Sequence, residues 1–96
     1  GWALLLTELS PDQTDAIVAR GRSFGESRNV CNVHWYSDVV AGRLVGAAAV
    51  AKLHENEQFL AAMDAAREDI VKARDAGLSP TVDCEAEARA LAIPLQ

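Results

Sequence analysis

The chain has 96 residues and a net charge of −5; half of its residues are hydrophobic, but only five are aromatic. This length supports one small domain, and the excess of alanine, valine and leucine favours closely packed helices over a sheet. The acidic balance argues against a nucleic-acid partner, and no apolar run approaches the roughly 20 residues of a membrane span.

Gly1-Trp2-Ala3-Leu4-Leu5-Leu6 carries neither an initiator Met nor a basic flank, so residues 1–8 read as the end of a helix and not as a secretory signal. The expectation is a piece of a longer protein: one domain over 1–96, with core helices over 1–76 and a tail with a short helix over 77–96. Ser10-Pro11-Asp12-Gln13 has the pattern of a helix start, with Ser10 as cap, Pro11 at the first position and Gln13 completing a capping box. Thr14, Ile17, Val18, Gly21, Phe24, Gly25 and Arg28 then recur at the three- and four-residue intervals of one helix face.

Arg28 therefore continues a stripe that is otherwise apolar or small. A charge in that position needs a partner, such as Glu26 or Asp38, or an anion. Residues 29–36 read as a loop, and Ser37 as the cap of a helix that places Asp38 in its first turn and runs to about His54. Val39 to Ala51 is a thirteen-residue apolar run interrupted by Arg43, the pattern of a buried helix. Gly42, Gly46 and Ala47 to Ala49 thin one flank for a close neighbour, while His54, in the last turn, fits a dipole-stabilising surface role.

Asn56 caps a further helix, Glu57 to Ala76, which Gly77 ends. Its apolar stripe is Phe59, Leu60, Met63, Ala66, Ile70 and Ala73. The charged residues between them are mostly its solvated face, with Glu68 and Lys72 spaced for an ion pair. After the linker Leu78-Ser79-Pro80, Asp83 caps a last short helix through Leu91, stopped by Pro94. The fold class is thus all-α, a bundle of about four to five helices.

The chemistry concentrates in Ser27 to Asp38. Arg28 offers a planar fork that fits a phosphate, and Ser27 adds a hydroxyl donor beside it. A neutral His34 can act as a nucleophile through one ring nitrogen if a carboxylate holds the other, and Asp38 lies four residues on. Cys31 and Cys84, 53 positions apart, match no metal-ligand spacing. In an oxidising compartment they can pair, closing a loop that would stabilise by roughly 4 kcal/mol; otherwise they are two buried thiols.

Gly25-Glu26-Ser27-Arg28, His34 and Asp38 together resemble the third signature motif of the phosphatidic acid phosphatase type 2 superfamily, and within it the bacterial class A non-specific acid phosphatases. Gly1-Trp2-Ala3 is similar to the segment after that family's second motif, and Gly42 to Gly46 with Leu53 to Asn56 to the stretch after its third. The resemblance spans residues 1 to about 76. It implies the C-terminal part of an acid phosphatase/haloperoxidase-like helical fold, without metal or other cofactor, that hydrolyses phosphate monoesters in the periplasm.

Carried onto this sequence, the resemblance makes His34 the nucleophile that forms a phosphohistidine and Asp38 its orienting partner, with Ser27 and Arg28 on the phosphate. The partner is then a phosphate monoester or inorganic phosphate, and a homo-oligomer is compatible with the apolar start and thin helix. The family's first motif, Lys-x6-Arg-Pro, and second, Pro-Ser-Gly-His with its proton-donating histidine, are absent from these residues, so the 96 residues alone are expected to be nearly inactive. The competing readings are a non-catalytic helical module for anion binding or oligomerisation and, within the superfamily, a vanadate-dependent haloperoxidase-like site. A lipid phosphatase fits least, since the chain lacks the spans those enzymes carry.

Overall fold

In the computed structural model, which describes residues 1–92, five α-helices follow the sequence pattern: α1 (Trp2–Leu9), α2 (Thr14–Val30), α3 (Tyr36–Leu53), α4 (Glu57–Asp75) and α5 (Cys84–Leu91). A single 3-10 turn, Pro11–Gln13, joins α1 to α2. The all-α expectation holds, and Pro94 lies outside the described residues. No described helix is long and apolar enough to cross a membrane.

The helix ends show which sequence signals act. Asn56 Oδ1 accepts the Phe59 N–H at 2.9 Å, and Asp83 Oδ1 accepts the Ala86 N–H at 2.9 Å, so both expected caps form. Gly77, at φ +70, closes α4: its N–H reaches the Arg74 carbonyl and that of Leu78 reaches the Ala73 carbonyl. Ser10 behaves differently from expectation. Its hydroxyl caps no backbone N–H; it donates to Asp12 and accepts from Arg74 Nη2 at 2.5 Å. Arg74 also donates to Asp12 Oδ1 at 3.2 Å, which ties the end of α4 to the α1–α2 corner and holds the Asp12 carboxyl below its ordinary range.

The short helix α1 is the hub, packing on α2, α3 and α4. Small residues permit that approach. A Cβ at Gly21 would lie 2.8 Å from the Ala3 Cβ, and one at Gly46 would lie 3.2 Å from the Gly1 nitrogen. Of the thin flank on α3, therefore, Gly46 is used within this chain, while a Cβ at Gly42 meets nothing. On α4 the covered residues Phe59, Met63, Ala66, Ile70 and Ala73 follow the expected stripe, with Leu60 left exposed. Glu68 and Lys72 form no ion pair; Asp64 and Arg67 do instead, at 3.0 Å.

Little of this amounts to a core. Val50 and Met63 are the only buried hydrophobic residues among those described, and the Cα framework measures 40 × 35 × 18 Å. Its radius of gyration is 15.4 Å, against about 12.5 Å for a compact domain of this length. The accessible surface is 7430 Å², about 2,000 Å² more than a folded monomer of this mass exposes. The excess has a sequence origin in α3, which is apolar around its whole circumference as buried helices are. Its inner side carries Val39, Gly46 and Val50, yet Leu44 and Val45 on the outer side stand 68 % exposed.

His54 joins the packed elements at the end of α3. Its Nδ1 donates to the Val50 carbonyl at 2.6 Å and its Nε2 to the Glu8 carboxylate at 2.8 Å, with Phe59 edge-on at 5.4 Å. The residue is therefore a tie between α1 and α3 more than a dipole-stabilising surface group. Both partners are acceptors, an arrangement that favours the doubly protonated ring. The Glu8 hydrogen bond accordingly raises its pKa above the ordinary value.

A group whose folded pKa is raised contributes fully below its unfolded value, about 6.5, and the contribution fades as pH climbs through the folded value. The midpoint of thermal unfolding should thus fall as pH rises from 6 through that window, and Glu8→Gln should flatten the fall. Parallel profiles for the two chains would refute this account.

Candidate functional site: the turn between α2 and α3

The sequence reading treats residues 29–36 as an irregular loop, but the structure has a defined helix ending there. α2 continues to Val30, and Asn32 takes φ +59, the left-handed position after a helix that asparagine tolerates best after glycine. The Asn32 N–H reaches the Asn29 carbonyl at 2.9 Å, and the Val33 N–H reaches the Arg28 carbonyl at 3.1 Å. These are the two bonds of a Schellman ending. The Arg28 carbonyl also accepts the His34 N–H at 3.2 Å, which fixes the histidine backbone against the arginine backbone.

The next helix starts two residues earlier than its sequence suggests. Trp35, in extended conformation, and not Ser37, precedes α3. Asp38 is the third residue of α3, and its Oδ2 accepts the Trp35 N–H at 3.0 Å, the acidic half of a capping box. The same oxygen lies 3.5 Å from His34 Nδ1. His34 and Asp38 are thus brought together, both about half exposed. His34 Nε2 has no partner among the described residues and is free to meet a ligand.

Ser27 and Arg28 form a second pair. Arg28 Nε donates to Ser27 Oγ at 3.2 Å, and its guanidinium stacks 5.2 Å from the Phe24 ring centroid, one turn back along α2. No carboxylate among the described residues pairs with Arg28. Glu26 is two residues away, a spacing that does not share a helix face, and it pairs with Arg43 of α3 at 2.6 Å; Asp38 serves His34 and Trp35. No hydrogen bond or ion pair among the described residues links the two pairs. A cleft of about 450 Å³ is lined by Glu26, Asn29, Asn32, His34, Trp35 and Tyr36, without Ser27 or Arg28. Phe24 is 63 % exposed, so its stacking holds the Arg28 fork weakly.

Both amide atoms of Asn29, beside the cleft, are buried without a hydrogen-bond partner. Cys31 and Cys84 are unpaired, and both are exposed, so neither the disulfide nor the buried-thiol expectation describes them. The reason is placement. Glu87, one turn into α5, is tied to Arg20 at 3.1 Å, and Arg20 lies about 16 Å of helix before Cys31. The described residues hold no cluster of three or more metal-ligating side chains.

Sequence reasoning missed two residues here. Asn32 was legible from the known preference of asparagine for left-handed helix endings. Arg43 reads in the sequence as an interruption in an apolar run and as part of the Gly42-to-Gly46 stretch, with nothing local to point to Glu26.

Comparison with known proteins places the resemblance on firm ground. The chain is 44 % identical over 82 residues to an acid phosphatase of Zymomonas mobilis, covering 83 % of this chain and 31 % of that protein. It is 43 % identical over 74 residues to a non-specific acid phosphatase of Providencia stuartii, covering 75 % and 30 %. With a non-specific acid phosphatase of Salmonella typhimurium it shares 41 % over 68 residues, covering 71 % and 27 %. The chain therefore spans less than a third of the length of these curated relatives. No family model matches it, and no solved structure does.

Proposed function

We propose that this chain supplies the nucleophile-bearing part of a bacterial acid phosphatase that acts on phosphate monoesters through a phosphohistidine. The relatives carry the phosphatase assignment. The observation that supports the mechanism is the division of labour at His34, where Nδ1 faces Asp38 and Nε2 is unengaged. In the first step Nε2 attacks phosphorus, the bond to the ester oxygen breaks, and its electron pair leaves with the alcohol, which must take up a proton. Asp38 stabilises the charge that develops on the ring. In the second step water attacks phosphorus, the P–N bond breaks, and inorganic phosphate departs. Ser27 and Arg28 hold the phosphoryl oxygens, since such a transition state needs positioning and charge stabilisation above all.

This site uses no metal or other cofactor. The setting is the periplasm, and any association between copies would use the apolar outer face of α3. The non-catalytic alternative is weighed by one experiment. The chain is titrated with orthovanadate, which mimics the phosphoryl group, and followed by NMR. The side-chain signals of Ser27, Arg28 and His34 should shift together along one saturating curve. Shifts scattered over Lys and Arg residues elsewhere, or none at all, would sink the phosphatase reading in favour of a helical module that merely keeps the motif.

A further inference from the structure

We propose that Arg43 is a positioning residue of this site, acting through Glu26 to set the angle between α2 and α3; the proposal rests on the phosphatase reading above. The candidate groups are divided among three pieces of chain. α2 delivers Ser27 and Arg28, the turn delivers His34, and α3 delivers Asp38. The Schellman bonds and the Asp38 cap define the two ends of the turn, but they are local and leave the crossing of the helices unspecified. The distance between His34 and Asp38, and their offset from Arg28, depend on that crossing.

Among the described residues one polar tie spans it. Arg43 Nη2 donates to Glu26 Oε1 at 2.6 Å, across 17 positions of sequence. The tie sits close to the chemistry: Glu26 immediately precedes Ser27 and lines the cleft with His34, and Arg43 is five residues beyond Asp38. Its acceptor is well protected, the Glu26 side chain being 15 % exposed. Gly25 makes room for it. A Cβ there would lie 3.4 Å from both Arg43 Nη2 and Val39 Cγ1, so guanidinium and valine pack directly against the α2 backbone. Elsewhere α3 is held on α1, through the close approach at Gly46 and the His54–Glu8 bond, and Val50 is its only buried residue. None of these ties it to α2, so the guanidinium and its acceptor set how α3 crosses that helix.

The arrangement predicts which feature of Glu26 matters. Arg43 needs an oxygen acceptor at that point, and an amide oxygen supplies one, more weakly than a carboxylate because the bond loses its charge assistance. Four variants of the chain, Arg43→Met, Glu26→Leu, the double variant and Glu26→Gln, are compared with the parent by NMR. In Arg43→Met and Glu26→Leu the His34 ring and Trp35 N–H signals should move, and orthovanadate should bind roughly ten-fold more weakly. The double variant should be no worse than either single one, and in Glu26→Gln, which keeps an oxygen acceptor without its charge, the His34 and Trp35 signals should move less than in Glu26→Leu.

Helix content by circular dichroism separates loss of positioning from loss of fold; a variant that loses helix is replaced by Arg43→Gln, which is expected to weaken binding in the same direction. Unmoved His34 and Trp35 signals in Arg43→Met would overturn the proposal, as would independent, additive losses. A parent chain that ignores orthovanadate sinks the phosphatase reading itself, whereas the His34 and Trp35 signals still decide the role of Arg43 without any ligand.

Discussion

Replacing His34 by alanine should lower kcat by about a thousand-fold or more, while His54→Ala should stay within a few-fold. The assay uses a chimera in which this chain replaces the matched stretch of the Providencia stuartii relative, acting on an aryl phosphate. The contrast follows from how the two imidazoles are held. His54 spends both nitrogens on the Val50 carbonyl and the Glu8 carboxylate and has none to offer. His34 has one nitrogen 3.5 Å from Asp38 and keeps the other free.

Asp38→Asn should fall between them, at a loss on the order of a hundred-fold. The Asp38 carboxylate is half exposed and shares its oxygen with the Trp35 N–H, so its hold on the ring is weaker than that of a buried triad acid. A His34→Ala chimera that retained a tenth of the parent activity would remove His34 from the nucleophile role.

Why the sequence disclosed some features and hid others is clear from particular residues. Asn56, Gly77 and Asp83 were legible because a cap depends on the residue itself and its next few neighbours. The α4 stripe was legible for the same reason, periodicity being local. Ser10 misled because its hydroxyl found Arg74, 64 residues away, in place of the backbone it could cap. How residues 27–28 stand relative to residues 34–38 was equally hidden: spacing puts Arg28 six residues before His34, but only the crossing of α2 and α3 says which way each side chain faces. Arg43 illustrates this limit best. Within α3 it looks like a flaw in an apolar run, and its meaning depends on Glu26 and Gly25 of another helix.

The same dependence on distant partners leads to the second large effect. The 96 residues by themselves should turn over an aryl phosphate at least about ten-thousand-fold more slowly than the full-length relatives. Two contributions multiply. These residues contain no histidine placed to protonate the leaving group, since His54 is committed to Glu8, and a general acid is typically worth a hundred-fold or more. Nor do the described residues place a second cation beside Arg28, since Arg43 is held by Glu26. An electrostatic donor aimed at the transition state carries another hundred-fold or so.

Openness works in the same direction. The turn between α2 and α3 is exposed throughout, and the 68 % exposure of Leu44 and Val45 marks a face that nothing among the described residues covers. Water in such a site screens whatever attraction Arg28 can exert on a phosphoryl group. Binding without turnover is therefore the expected signature of the isolated chain: orthovanadate shifts the His34 signals, yet an aryl phosphate incubated with the pure protein releases product no faster than in buffer. Turnover within a hundred-fold of the Salmonella typhimurium relative would mean that an acid and a cation not accounted for here reach the phosphoryl group, and the expectation of binding without turnover would have to be abandoned.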